Sequence, residues 1–133
     1  MIAAYRDAGG RGKLVLQVHV SYDPDAERAL GIAHDQWRSN VFPPPLCWDL
    51  DSPEAFEQAS AHVRPEGVTD SVHVSSDLAQ HTAWLQEYLE LGFDEIYLHH
   101  VGKEQRPFLD AFGGHVLPQL GVTVPGPVAA VRA

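Results

Sequence analysis

The sequence predicts an α/β fold built from parallel βα units, and two observations support this prediction. Three runs rich in β-branched and aromatic residues lie at 14–21, 71–76 and 94–101, and an amphipathic helical pattern follows each. Two of the runs are near repeats, because "VHVSYD" at 18–23 and "VHVSSD" at 72–77 differ at a single position. Strands joined by helical crossovers run parallel, so a parallel sheet of three strands in consecutive order follows.

Capping residues mark where the helices begin. Asp23 followed by Pro24 is a typical helix start, and Ser52 followed by Pro53 repeats it. Asp77 stands three residues before Gln80, a spacing that resembles a capping box. The predicted helices cover 2–8, 24–39, 53–63, 78–91 and 104–117.

Two stretches lack a helical pattern. Three consecutive prolines in "NVFPPPLCWDLD" at 40–51 predict an extended polyproline segment. The tail at 121–133 is expected to be extended or mobile. A chain of 133 residues is long enough for one ordinary domain, so we assign 1–133 to a single domain.

Composition excludes several classes of protein. The net charge of −9 argues against partners that need a basic surface, such as nucleic acids and acidic membranes. Cys47 is the single cysteine, so an internal disulfide cannot form, and a reducing compartment suits the chain. No run approaches the ~18 apolar residues of a membrane span, and the start lacks the pattern of a signal peptide. These features predict a cytoplasmic protein.

Several longer stretches resemble a known family of enzymes. They are "YRDAGGRGK", "HDQWRSNVFPPPLCWDL", "VSSDLAQHTAWLQEYLELGFDEIYLHHVG" and "EQRPFLDAFGGHVLPQL". Together they resemble the C-terminal part of the luciferase-like flavin- or deazaflavin-dependent oxidoreductases, in the branch of the deazaflavin-dependent glucose-6-phosphate dehydrogenases. The resemblance covers roughly residues 2–120, and its most specific element pairs "GFDEIYLHHVG" with "QRPFLDAF".

The resemblance implies a fold, a cofactor and a class of reaction. Members of this family are TIM (β/α)₈ barrels that hold reduced FMN or a deazaflavin at the carboxyl ends of the strands. They are monooxygenases or transfer a hydride. The three strands of this chain resemble the sixth to eighth strands of such a barrel, so an incomplete barrel is expected. The earlier strands hold most of the cofactor site in the family. We therefore expect weak or absent activity from this chain alone, we leave open whether it binds a cofactor, and no catalytic residue is carried over.

The carboxyl ends of barrel strands carry the chemistry, which selects the candidate binding residues. Neighbouring strand residues point to opposite faces, so only one of His99 and His100 can face the barrel axis. The alternative is that both histidines only satisfy local hydrogen bonds. The candidate rim of the cofactor and substrate site comprises His19, Ser21, Tyr22, Ser75, Ser76, His99, His100, Gly102, Lys103 and Arg106.

Gly102 suits a tight turn from strand to helix, because glycine has no Cβ. The helix start beyond it is a potential anion site, to which Lys103 and Arg106 would add positive charge. The alternative is that these two cations are solvated residues of the first helical turn.

A metal site is not predicted, because the strand histidines lack the spacing of known zinc motifs. The remaining histidines lie on predicted helices and are expected to be surface residues. These are His34, His62, His81 and His115.

Two functions from different classes remain open. The first is a portion of a flavin- or deazaflavin-dependent oxidoreductase, and the second is a non-catalytic α/β module that associates with itself. In a closed barrel the strands at 14–21 and 94–101 would each pair with a strand that this chain lacks. Open strand edges and uncovered apolar faces favour association, so a homodimer or larger assembly is expected.

Overall fold

The computed structural model describes residues 1–122. Most of the predicted tail at 121–133 therefore lies outside the described residues. The helices and strands, in chain order, are α1 (Ile2–Asp7), β1 (Val15–Tyr22), α2 (Ala26–Trp37), α3 (Leu46–Asp49), α4 (Pro53–Ser60), β2 (His73–Ser75), α5 (Leu78–Glu90), β3 (Glu95–His100), α6 (Gln105–Ala111) and α7 (Leu117–Gln119). The predicted α/β class with three parallel βα units is confirmed.

β1 is the central strand of the sheet, whose order is β2-β1-β3. It pairs with β3 from Val15 opposite Glu95 to Val20 opposite His100, but with β2 over three positions only. The predicted consecutive order is therefore wrong, and so is the expectation that β1 would lie at an edge. A central strand is buried on both faces, and β1 is the longest and most apolar of the three.

The even-numbered side chains of β1 form the larger core. Val18 and Val20 are buried there against Leu85 of α5 and against Phe108 and Phe112 of the last helical segment. We call this side of the sheet the α5 face. At about 25 cal/mol per Å² of buried apolar surface, this cluster is the main source of stability on that side.

The odd-numbered side chains of β1 face α2. The Ser21 hydroxyl donates to the carbonyl oxygen of Ala29 at 2.7 Å, and the His19 ring centroid lies 4.4 Å from that of Trp37. We call this side the α2 face. The apolar strand faces that were expected to be exposed are therefore largely covered by helices. Val15 and Tyr97 remain 45% and 59% exposed.

The strand order explains why helices cover both faces. The crossover from β1 to β2 and the crossover from β2 to β3 run across the sheet in opposite directions. Crossovers between parallel strands are almost always right-handed, so crossovers in opposite directions place their helices on opposite faces.

Local capping agrees with most of the predicted helix starts. The Ser52 and Asp77 side chains accept hydrogen bonds from the backbone N–H groups of Ala55 and Ala79. At α2 the cap is Asp25 rather than the predicted Asp23. Asp23 instead accepts the N–H of Asp25 and holds the turn before the helix.

Two other predicted spans differ in detail. The 40–51 stretch contains the short helix α3 in place of a continuous polyproline segment. The last helix continues past Pro118 to Gln119, because a π-helical turn at Phe112–Val116 joins α6 to α7. None of the helices within residues 1–122 combines the length and apolar character needed to cross a membrane.

Candidate functional site

A cleft opens at the carboxyl ends of β1 and β3. After β1 the chain turns into α2 on one face of the sheet, whereas after β3 it turns into α6 on the opposite face. Such a position is a topological switch point, and ligands of open α/β sheets bind in the crevice that forms there. We call this cavity the switch-point cleft. It has a volume of about 390 Å³, and its lining residues are Tyr22, Asp23, Pro24, Arg28, Ile32, Asp35, Gln36, His100, Gly102, Lys103, Glu104, Pro107 and Phe108.

His100 is the most buried polar side chain of the cleft, at 4% exposure. Its ring stacks on Phe108 with centroids 4.7 Å apart and planes 6° from parallel. Its Nδ1 atom has no partner of hydrogen-bond geometry among the described residues. Burial lowers the pKa of His100 below its usual value, while the nearby backbone of Val20 opposes the shift. Burial therefore favours the neutral form of the imidazole.

Gly102 is required by the close approach of its neighbours. A Cβ atom at this position would lie 2.6 Å from Nε2 of His100 and 2.9 Å from Cγ2 of Ile32. The side chain of Gln105 donates to the carbonyl oxygens of His100 and Gly102, which fixes the turn. The glycine thus lets the turn after β3 pack against α2 and shapes one wall of the cleft.

The charged residues of the cleft are partly paired. Arg28 forms an ion pair with Asp23 at 3.0 Å, and the Asp23 side chain is the more buried partner. Lys103 and Glu104 are exposed at the rim. The lining therefore combines an apolar interior with a rim that carries both signs of charge.

A second histidine cluster lies on the α2 face. The Nδ1 atoms of His19 and His99 are 3.0 Å apart, so one ring donates a hydrogen bond to the other. Trp37 contacts both rings, with centroids 4.4 and 5.2 Å away. Burial and the neighbouring His99 lower the pKa of His19. The two Nδ1 atoms of this pair satisfy each other, and both residues lie outside the lining of the switch-point cleft.

The structure separates the predicted rim residues into two groups. His100, Gly102, Lys103 and Tyr22 line the switch-point cleft as a set. His99 points to the opposite face, which confirms that the two adjacent histidines diverge.

The other predicted rim residues are held by the protein itself. The hydroxyl of Ser21 is buried and bonded to α2, and that of Ser75 accepts the N–H of Asp77. Ser76 is half-buried beside it, outside the lining of the cleft. Arg106 forms an ion pair with Asp110 at 2.9 Å, one helical turn along α6.

Sequence reasoning missed part of the cleft. Ile32, Asp35 and Glu104 were not predicted, although Ile32 and Asp35 are three residues apart and therefore share a face of α2. The prediction of a surface position for His81 is wrong, since it is 1% exposed. Its Nε2 atom lies 3.1 Å from the carbonyl oxygen of Ser75, and its ring packs against Phe112.

No cluster of three or more potential metal ligands occurs among residues 1–122.

Comparison with known proteins gives a consistent set of relatives. No family model matches the chain. It is 30% identical over 115 residues to the F420-dependent glucose-6-phosphate dehydrogenase of Segniliparus rotundus, covering 86% of this chain and 34% of the relative. The enzyme of the same description from Kribbella flavida is 33% identical over 106 residues, covering 80% and 31%. The chain is homologous to these F420-dependent dehydrogenases. The predicted resemblance to the luciferase-like family is thereby confirmed.

The homology to the F420-dependent dehydrogenases is partial. This chain spans about a third of the length of the curated relatives that it matches. An F420-dependent secondary alcohol dehydrogenase, solved in complex with an F420-acetone adduct, has a TM-score of 0.69 at 17% identity, covering 88% of this chain and 36% of that one. This likeness establishes the fold, which corresponds to part of a TIM-barrel enzyme as predicted.

Proposed function

We propose that this chain forms one wall of the substrate and cofactor cleft in a deazaflavin-dependent oxidoreductase. The observation that carries the proposal is the switch-point cleft, in which the buried and unpartnered His100 lies at the carboxyl end of β3. Support comes from the homologues, whose names specify F420, and from the fold of an F420-dependent alcohol dehydrogenase. FMN and monooxygenase chemistry have no such support.

The lining of the cleft suits the flat ring of such a cofactor. A volume of about 390 Å³ lies at the lower end of ligand pockets, which run from about 300 to 1,000 Å³. Pro24, Ile32, Pro107 and Phe108 supply an apolar lining for a flat ring. The Nδ1 atom of His100 is fully buried and has no hydrogen-bond partner among the described residues.

When bound, the cofactor supplies the hydride chemistry. The chain's own residues would bind and orient the reactants. A neutral imidazole both donates and accepts hydrogen bonds, so His100 suits a substrate hydroxyl or carbonyl group. Phe108 holds the plane of this ring by stacking, and Gly102 keeps its edge free of steric conflict.

Activity of the isolated chain is expected to be weak or absent. The chain corresponds to about a third of its relatives, and catalysis depends on the positioning of both reactants by a complete site. Substrate reduction by this chain at rates typical of whole enzymes would overturn this part of the proposal.

Titration of F420 into the purified chain, followed by the fluorescence of the cofactor, tests the proposal. Wild type is expected to bind F420 saturably, and Gly102→Ala to bind about tenfold more weakly, because the added methyl group displaces His100 or Ile32. Gly114→Ala is the matched control, since its Cβ would meet no atom within 4 Å. Absent binding by folded wild type, or equal binding by Gly102→Ala, would contradict the proposal. Tighter binding of FMN than of F420 would indicate that the cofactor is a flavin rather than a deazaflavin.

Self-association is the second candidate function, and exposed apolar side chains favour it. Trp48 is 76% exposed and Leu46 is 45% exposed on α3, while Tyr97 is 59% exposed on the edge strand β3. An edge strand offers unpaired N–H and C=O groups to another chain. We propose a homodimer or larger assembly. Sedimentation equilibrium at tens of micromolar tests it, and a single species of 14.6 kDa would refute it.

A further inference from the structure

His81 is a buried histidine whose tautomer is fixed by one hydrogen bond. It is 1% exposed, and its Nε2 atom lies 3.1 Å from the carbonyl oxygen of Ser75. A carbonyl oxygen only accepts hydrogen bonds, so Nε2 carries the proton and donates it. Nδ1 is then the lone-pair atom of the ring, and it has no hydrogen-bond partner among the described residues. A second proton on this ring would therefore enter at a buried atom that lacks an acceptor.

The titratable groups around His81 give a positive charge little support. Asp77 favours the charged ring, but its side chain already accepts the backbone N–H of Ala79. His81 is the fourth residue of α5, close to the end of the helix dipole that disfavours a cation. The nearby rings of His73 and His100 disfavour it too. Burial is the largest cause that holds the pKa of His81 below its usual value.

Aromatic rings from three elements surround His81. The ring centroid of Tyr22 on β1 lies 6.0 Å away, and that of Trp84 on α5 lies 5.3 Å away. Phe112, at the start of the π-helical turn, contacts the ring at 5.1 Å. A buried charge that lacks water costs free energy. Protonation of His81 therefore favours a state in which one of these neighbours moves and water reaches Nδ1.

Phe112 belongs to the neighbouring segment that is least firmly held. This segment, at 105–116, comprises α6 and the π-helical turn. α6 begins without a side-chain cap, and Phe108 is its buried residue. π-Helical turns are rare and occur mostly as single turns at functional sites. By contrast, Tyr22 is part of the central strand, and Trp84 is part of the capped helix α5.

The segment at 105–116 also forms one wall of the switch-point cleft. Pro107 and Phe108 line the cleft. The ring of Phe108 lies between His100, with centroids 4.7 Å apart, and Phe112, with centroids 4.2 Å apart. The contact of His81 with Phe112 is therefore connected to the cleft by a continuous row of rings. A displacement of Phe112 would change the wall that Phe108 provides.

We propose that His81 is a pH-sensitive switch for the segment at 105–116. The neutral ring packs against Phe112 and keeps the segment on the α5 face of the sheet. Protonation in mildly acidic solution releases Phe112, admits water to Nδ1 and opens the wall of the cleft, while the sheet, α2 and α5 remain folded. This inference is independent of the proposed oxidoreductase, because it requires no ligand.

Native-state hydrogen exchange at about pH 7.5 and about pH 5.0 tests the switch. The protection factors of the amides at 105–116 are expected to fall about tenfold more than those of Ala26–Trp37 on the opposite face of the sheet. His115→Gln is the matched control, because it removes an exposed histidine of the same segment and should reproduce wild type. An equal fall in both segments would show that the whole chain loosens and would refute the switch.

His81→Gln assigns the effect to one side chain. Glutamine keeps a donor for the carbonyl oxygen of Ser75 but does not titrate, so the additional fall at 105–116 is expected to disappear. An additional fall that persists in the folded variant would refute the role of His81.

The titration of the histidine rings in wild type gives the same decision without a variant. ¹³C-labelled histidine is followed by NMR while the pH is lowered from about 7.5 to about 5.0. The midpoint of the His81 titration is expected to coincide with the loss of protection at 105–116. A loss of protection that follows the titration of another histidine, or that occurs while His81 stays neutral, would overturn the proposal.

Discussion

Histidines lie on both faces of the sheet, and two pairs of them differ in whether their Nδ1 atoms are hydrogen-bonded. On the α2 face, His19 and His99 are half-buried and hydrogen-bond to each other. On the α5 face, His81 and His100 are 1% and 4% exposed, and each leaves its Nδ1 atom without a partner among the described residues.

We interpret this difference as one between a structural pair, His19 and His99, and a candidate binding residue, His100. A buried polar atom without a partner costs free energy, about 1–3 kcal/mol in a protein interior. On the α2 face the two Nδ1 atoms of His19 and His99 avoid this cost by pairing with each other. On the α5 face, the unpaired Nδ1 atoms of His81 and His100 cost free energy of folding, and His100 lines the switch-point cleft. Adjacent residues of one strand, His99 and His100, therefore have different roles because a strand alternates its side chains.

The largest expected effect comes from the core of the α5 face. Phe112→Ala is expected to lower the free energy of unfolding by about 3–5 kcal/mol, because a 2% exposed ring leaves a cavity that the structure fills only in part. Trp37→Ala on the α2 face should cost about 2 kcal/mol, since Trp37 is only half-buried. Urea unfolding measures both. Leu109→Ala, at a 58% exposed site, is the control. Equal losses for Phe112 and Trp37 would contradict the difference between the faces.

A smaller effect is expected from pH, because histidines on both faces resist protonation. Burial is the main cause that lowers the pKa of His19, His73, His81 and His100. The unfolded chain, with a histidine pKa of about 6.5, binds more protons than the folded chain just below that pH. Stability should therefore fall as the pH drops from about 7.5 to about 5.5.

Urea unfolding across this pH range checks the prediction. His81→Gln, which keeps a donor for the Ser75 carbonyl oxygen, should show a shallower dependence on pH. His115→Gln, at an exposed position, should match wild type. A stability that stays constant over the range would contradict the prediction.

The smallest expected effect distinguishes the two adjacent histidines. His99→Phe removes the hydrogen bond to His19 and should cost about 1 kcal/mol. His100→Phe removes an unsatisfied polar atom and retains the ring on Phe108, so it should be neutral or stabilising. Binding of F420 should weaken in His100→Phe alone. Loss of binding in His99→Phe instead would reverse the assignment of roles to the two faces.

Helix positions were predictable because their signals are local. The cap of Ser52 joins it to Ala55, three residues away, and that of Asp77 joins it to Ala79. The order of the strands was not predictable, because it depends on pairing between distant residues such as His19 and His99, which are 80 positions apart. The long apolar strand β1 takes the central position, where both of its faces are buried. No local sequence pattern indicates which strand will be central.

The candidate site was predictable in part. The sequence selected the carboxyl end of β3 as a candidate site, and His100 and Gly102 line the switch-point cleft there. The inward position of His81 had a signal, because it lies three residues after Leu78 and four before Leu85, on the apolar face of α5. The pairing of Arg106 with Asp110 also follows from their spacing on a helix. The contribution of α2 was not visible, because it depends on the face of the sheet to which α2 packs.

The central place of β1 has a consequence for synthesis of the chain. β1 leaves the ribosome first among the strands, whereas its longer partner β3 begins at Glu95 and the last part of its core at Phe108. Val18 and Val20 therefore remain without their packing partners until most of the chain has been translated. The central strand β1 is therefore synthesised well before the strands that pair with it. The rate of translation sets the time for which its apolar side chains are exposed to aggregation.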